Sequence, residues 1–266
     1  MFEHHARIIA DDSETLGIFE SCYSAFVCAA GESDTPPLLI EVSRGLSAAG
    51  WEVTFKGHTE KCATLADLIY VVEKALTIEL QHRRPDLFFL HAAAVRRNDR
   101  CVLIIGESGA GKSTFCWHLC NSRFRYLSDE LAPINLQDMR IEPYPHAICL
   151  KRIAEGMPPL PDATIDADAT LHIPVEFIPG GIESSQVEID TVLFLHKGDS
   201  TRAPGLQKLT KAEAAARFYS NALNQLAHER EGLKAASQLA SAGACFKLQR
   251  GPLDVMRAEL VEYLNS

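Results

Sequence analysis

Several protein classes are excluded by what this sequence lacks. None of its eight cysteines forms a C-x-x-C pair, which removes the commonest redox and zinc-ribbon spacings. No apolar run approaches the roughly 20 residues of a membrane span. Positive charge is in deficit: 26 Lys and Arg stand against 35 Asp and Glu, for a net charge of −9. That balance argues against broad electrostatic binding to nucleic acid or to an anionic membrane. The first residues carry Glu3, Asp11, Asp12 and Glu14 instead of the basic start of a secretory signal. No Asn-Lys-x-Asp guanine-reading motif, internal repeat or low-complexity tract occurs. A cytoplasmic protein with reduced, mostly buried thiols is expected.

With 47% hydrophobic and 23% charged residues over 266 positions, the chain has the composition of an ordinary globular protein. It is long enough for one large domain or a core with a smaller appendage. The most informative stretch is Gly106-Glu107-Ser108-Gly109-Ala110-Gly111-Lys112-Ser113, which fits G-x-x-x-x-G-K-[ST], the phosphate-binding P-loop. A chance match in a chain of this length is about a 1% event at average residue usage. The flanks strengthen it. Cys101 to Ile105 reads as a buried strand, and Thr114, Phe115, Trp117, His118 and Leu119 can continue as a helix. Glycines let backbone N–H groups turn inward, and a helix N-terminus adds positive potential. Lys112 is expected to reach the β- and γ-phosphates of ATP, and Ser113 to hold Mg²⁺. Cys116, His118 and Cys120 sit close in sequence, but on a helix residues 116 and 120 share a face while 118 points away, so helix packing accounts for them.

Along the chain, residues 1–60 read as short strands with turns, among them Leu38 to Val42 and the alternating Trp51 to Phe55. Thr64-x-x-Asp67 resembles a capping box and opens a helix to about Arg84, with Leu65, Leu68, Ile69, Val72, Leu76 and Leu80 on one stripe. Leu87 to Val95 reads as one buried strand interrupted by His91. Taken alone, a histidine in such a strand is more often a core residue than a functional one. Phe124 to Ser128 is a strand ending in the paired carboxylates Asp129 and Glu130, and ligands in open α/β sheets bind at such carboxyl ends. The proline-rich stretch 152–180 reads as an irregular, mobile segment near an acceptor site. Ile189 to His196 is a further buried strand. Helices follow from Thr210-x-x-Glu213, over about 232–242, and after Pro252. The fold expected is α/β: a P-loop nucleotide-binding core over 85–266, with C-terminal helices, preceded by a β-rich layer and linking helix over 1–84.

A histidine strand, then a P-loop, then a strand ending in two acidic residues resembles the HPr kinase/phosphorylase superfamily. Leu90-His91-Ala92-Ala93-Ala94-Val95 before the loop looks closest to its shorter HPr-kinase-related branch, some members of which phosphorylate serine on ribosomally made peptides, including lasso-peptide precursors. The motifs cover roughly residues 85–150. The resemblance implies a kinase domain over 85–266 that uses ATP and Mg²⁺, with residues 106–113 and Thr114 at the phosphates. Asp129 would be the general base toward a serine of a peptide or protein acceptor. His91 would sit beside Asp129 and tune it, and Glu130 would assist Mg²⁺. A homo-oligomer is expected on the same grounds. The chain departs from the family in Glu130, where HPr kinases carry Asp, in Thr114, where they usually carry Glu, and in lacking their arginine–glycine signature. HPr itself is therefore not the expected acceptor. A P-loop ATPase or nucleotide-dependent regulator, and a small-molecule kinase, are the alternatives that share these motifs.

Overall fold

The computed structural model describes residues 4–28, 36–45, 50–197, 205–224 and 229–266. In the N-terminal part, β1 (Ala6–Ala10), α1 (Ser13–Cys22), β2 (Leu38–Arg44), β3 (Trp51–Phe55), β4 (His58–Cys62) and α2 (Leu65–Arg83) follow in order. The four strands form one sheet in the order β1-β2-β3-β4. The α2 capping box is closed from both sides: the Asp67 N–H donates to the Thr64 hydroxyl, and the Thr64 N–H to the Asp67 carboxylate, each at 3.1 Å. α1 replaces part of the expected run of strands. It is capped by Asp12, which accepts from the Thr15 N–H at 2.7 Å, but buries only Thr15, Phe19 and Cys22. So narrow a stripe leaves little periodic signal.

The chain continues through β5 (Leu87–Leu90), β6 (Ala92–Arg97), β7 (Arg100–Ile105), α3 (Lys112–Cys120), β8 (Arg125–Ser128), β9 (Ala132–Asn135), β10 (Arg140–Ile141), β11 (Ile148–Leu150), β12 (Ile165–Asp166), β13 (Leu171–Ile173), β14 (Val187–Glu188), β15 (Thr191–His196), β16 (Leu206–Lys208), α4 (Lys211–Ser220), α5 (Glu229–Ala242), β17 (Ala244–Gln249) and α6 (Leu253–Asn265). Six strands make the central sheet, in the order β16-β17-β15-β7-β6-β8; smaller sheets are β14-β10-β9-β5 and β11-β13-β12. α3 is buried almost all round, between the central sheet and the layer that contains Ile148, Ile173, Val175 and Ile178. The N-terminal layer shares its apolar core with Leu87, Phe89, Leu131, Tyr144 and Ala147.

Two expectations need correction. Leu87 to Val95 is two strands: β5 belongs to the small sheet and β6 to the central one. The chain switches sheets at His91, whose N–H donates to the Asn221 carbonyl at 3.0 Å. Both halves are apolar because both sheets are buried, so no change of period marks the switch. The 152–180 stretch is not a loose flap. It contains β12 and β13, pairs with β11 and buries Ile173, Val175 and Ile178 at 5% exposure or less.

Strand direction and register bring the expected site together. β15 is parallel to β7 and β17 is parallel to β15. β6 is antiparallel to both β7 and β8, so β8 runs the same way as β7. The carboxyl ends of β7, β8, β15 and β17 therefore share one sheet edge. β6 begins at that edge: Ala92 pairs with Ile105 and Ala94 with Ser128. His91, the 106–113 loop and the Asp129–Glu130 turn must then converge there.

Candidate active site

The loop after β7 has the backbone shape its glycines permit. Gly109 and Gly111 adopt φ of 75° and 101°, a left-handed region costly for other residues. Gly111 caps α3, which begins at Lys112 and offers the free N–H groups of its first turn. Gly106 is needed for close packing: a Cβ there would lie 3.0 Å from the Ala110 Cβ and 3.1 Å from the Leu195 carbonyl oxygen. Glu107, Ser108 and Gly109 are exposed, Gly106, Ala110 and Lys112 buried, and Gly111, Ser113 and Thr114 intermediate. The Lys112 ammonium donates to the Gly106 carbonyl at 3.0 Å. Burial lowers its pKa, while Glu130 and Asp129 act in the opposite sense.

Asp129 is fully buried. Among the described residues, neither of its carboxylate oxygens nor the Ser128 hydroxyl has a well-aligned hydrogen-bond partner. Desolvation, then the charge of Glu130, push the Asp129 carboxyl up to about 7; looser contacts with the Ser113 hydroxyl, Lys112 and the Cys149 N–H pull against that rise. Glu130 is displaced the other way. Burial acts to raise it, but His91, Lys112 and His146 outweigh burial and hold it down to about 2. Glu130 takes up its place with φ of 65°, which an L-residue adopts only when its surroundings fix it. The two adjacent carboxyls are thus pushed apart, one toward a proton and one toward a fixed charge.

His91 meets Glu130, not Asp129. Its Nε2 lies 2.9 Å from Glu130 Oε2, which corrects the expectation that it tunes Asp129 directly. Alternate residues of an extended turn face opposite ways, and spacing alone does not say which of two consecutive acids a histidine faces.

Three groups absent from the sequence-based candidates also gather here. Lys151, just after β11, donates to the Ser108 hydroxyl at 2.8 Å. The Lys197 ammonium, just after β15, lies 3.6 Å from where a Gly109 Cβ would stand. Glu73 comes from α2 in the N-terminal layer. Burial, opposed by His146 and reinforced by Glu130 and Asp129, pushes it up to about 7. Glu73 was detectable, since it lies four residues after Ile69 and three before Leu76, within the apolar stripe of α2. Lys151 and Lys197 carried no local signal.

The donor set fits a nucleoside triphosphate and a hard cation. The loop and α3 present N–H groups and Lys112, while Ser113 and Glu130 supply hard oxygen ligands of the kind Mg²⁺ prefers. Among the described residues, no group of three or more His, Cys, Asp or Glu is arranged to hold a metal ion. Mg²⁺ in phosphoryl-transfer sites needs only one or two carboxylates, with substrate oxygens completing its shell.

No known family's sequence profile matches the chain, and no curated protein matches it in sequence. Among solved structures it is similar to the HPr(Ser) kinase/phosphatase from Coxiella burnetii, at 14% identity and a TM-score of 0.35, over 66% of this chain and 91% of that one. Among the described residues, no helix is long and apolar enough to cross a membrane.

Proposed function

We propose that this protein is an ATP-dependent kinase that transfers the γ-phosphoryl group to a serine hydroxyl of a peptide or protein acceptor. The observation that carries the reading is a fully buried carboxyl, Asp129, without a well-aligned partner, at the same sheet edge as a glycine loop that ends in Lys112 and Ser113. A general base works best when its pKa lies near the working pH, and Asp129 is raised to about 7.

In this reading the loop N–H groups and Lys112 hold the triphosphate. Ser113 and Glu130 would hold Mg²⁺, which would supply neutralisation of charge on the phosphate oxygens. Asp129, unprotonated, accepts the serine Oγ proton as the Oγ–P bond forms. The bond from the γ-phosphorus to the bridging oxygen breaks, and ADP leaves with that electron pair. His91 keeps Glu130 charged and in place. Lys151 and Lys197 bring positive charge from outside the loop, the part an arginine finger plays in other P-loop enzymes. Residues 85–266 form the catalytic unit in this proposal, and residues 1–84 form an acceptor-facing layer that contributes Glu73.

The test is mass spectrometry after incubation with MgATP and a panel of serine-containing peptides and small proteins, with wild type and Asp129→Asn side by side. A phosphoserine product that the variant fails to form supports the proposal. A phosphorylated metabolite, or free phosphate alone, would replace it with a small-molecule kinase or an ATPase.

A further inference from the structure

The outer edge of β5 is closed without a strand. β5 ends the small sheet, and Leu87, Phe88, Phe89 and Leu90 are all fully buried. Its outward N–H and C=O groups therefore cannot turn to water. The segment just after α4 takes them instead. The Leu223 N–H donates to the Phe89 carbonyl at 2.8 Å, and the His91 N–H to the Asn221 carbonyl at 3.0 Å. Between them Leu90 and Ala222 form an antiparallel bridge. Beyond Leu223 the ladder is continued by a single side chain. The Asn224 carboxamide accepts from the Phe89 N–H at 3.0 Å and donates to the Leu87 carbonyl at 2.9 Å. Asn224 is 6% exposed. Its carboxamide carries a donor and an acceptor side by side, as a peptide group does, whereas a carboxylate offers no donor and an apolar side chain offers neither.

Both ends of this strap are fixed. At one end, the Asn221 side-chain amide donates to the Arg217 carbonyl at 2.8 Å and closes α4. Phe218 of α4 is fully buried and stands edge-on to Phe194, with ring centroids 5.3 Å apart. Phe194 pairs with Ile105, the last residue before the glycine loop. At the other end, the strap holds β5 as far as His91, where the chain leaves for the central sheet. There His91 Nε2 lies 2.9 Å from Glu130 Oε2. The strap thus ties the strand that carries the glycine loop to the histidine that faces Glu130.

We infer that Asn224 is a positioning residue: by closing the edge of β5 it holds His91 against Glu130, and so fixes the carboxylate proposed to bind Mg²⁺. Its action runs through the backbone of β5 and the His91 ring. This role rests on the proposed Mg²⁺–ATP site, and the experiment separates the two.

Asn224→Ala, Asn224→Asp, His91→Ala and the double variant Asn224→Ala/His91→Ala are compared with wild type. Amide hydrogen exchange reads the strap. Calorimetric binding of ATP, in Mg²⁺ and in EDTA, reads the cation site, and thermal melting checks folding. In Asn224→Ala the Phe89 and His91 amides should exchange about tenfold faster, with those of Val102, Leu103 and Ile104 in β7 unchanged. The gain in ATP affinity that Mg²⁺ brings should fall about tenfold, near 1.4 kcal/mol, while affinity in EDTA stays within about twofold. Asn224→Asp keeps the acceptor for Phe89 and loses the donor to Leu87, so it should fall between. The double variant should match His91→Ala, because residues that act through one contact do not add. A Mg²⁺ gain unchanged in Asn224→Ala, or reduced just as much again when His91 is already alanine, would overturn the inference. Should the alanine variants fail to melt cooperatively, Asn224→Asp with wild-type exchange at His91 and a wild-type Mg²⁺ gain would overturn it alone. With the binding results as expected, a wild type that phosphorylates no acceptor overturns only the kinase reading. A wild type whose ATP affinity gains nothing from Mg²⁺ overturns the proposed cation site and this inference together.

Discussion

Asp129→Asn should make the protein more stable at alkaline pH while abolishing catalysis. Asp129 is fully buried, and its carboxyl is raised from an ordinary 3.8 to about 7 by burial and by Glu130. A carboxyl whose folded pKa lies above its unfolded value favours folding fully below about 4. That advantage drains away as pH rises through the folded value, because the folded state must then hold a buried charge that the unfolded state solvates freely. Moving from 3.8 to about 7 corresponds to roughly 4 kcal/mol, at about 1.4 kcal/mol per pH unit. Asparagine keeps the shape and carries no charge, so it escapes this loss. Urea unfolding from pH 4 to pH 8.5 should show the two proteins nearly equal at the acid end. The variant should gain steadily up to about pH 7 and then keep a constant lead of about 2–4 kcal/mol, the lower figure allowing for water penetration and relaxation. A variant less stable than wild type at pH 8, or a difference that does not change with pH, would show that Asp129 is not a strained, desolvated carboxylate. The argument that it is a poised base would then fail.

Other consequences can be measured independently. The pH profile of kcat/KM should rise through about 7 and level above it, since the base must be unprotonated. Glu130→Gln should move that inflection downward even as it slows turnover, by removing the charge that most opposes ionisation after burial itself. Lys151→Gln should reduce kcat about 100-fold while leaving the KM for ATP within about threefold, if its charge acts on the transferring group and not on ground-state binding. Gly180→Ala is a folding control far from the chemistry. An added Cβ would lie 1.7 Å from the Phe124 carbonyl oxygen, so the backbone must shift at a cost of about 3 kcal/mol, read as a lower melting temperature.

The glycine loop after β7, with its strand and its helix, was legible because its glycines fall at spacings that few local structures require. α2 and α4 were legible from their caps: Thr64 with Asp67 and Thr210 with Glu213 both close in the structure. The convergence of His91 with the acidic turn was also foreseen, but its partner was not. Whether a side chain faces residue 129 or 130 is decided by the left-handed turn at Glu130, which no propensity of glutamate announces. The split of the Leu87–Val95 run at His91 was hidden because both strands are buried on both faces, which removes the alternation that distinguishes them. Lys151 and Lys197 were invisible for a different reason. They reach the loop from strands far along the chain, and only the sheet order places those strands beside β7.

The charged groups of the site set one another's state, which limits how any single substitution can be interpreted. Burial lowers the pKa of Lys112, and Glu130 and Asp129 act in the opposite sense. Lys112 in turn holds Asp129 below where burial and Glu130 would drive it, and helps keep Glu130 ionised. Glu73, carried in by the N-terminal helix, is itself raised in part by both acids. Removing Lys112 therefore does more than delete the proposed phosphate contact, because it also drives the proposed base toward its protonated form. Loss of activity in such a variant combines two effects that a substitution at Asp129 would already include. Their energies will not add, as is usual for residues in one network. For that reason the stability of Asp129→Asn against pH, which requires no turnover, is the cleaner measure of how this site is tuned.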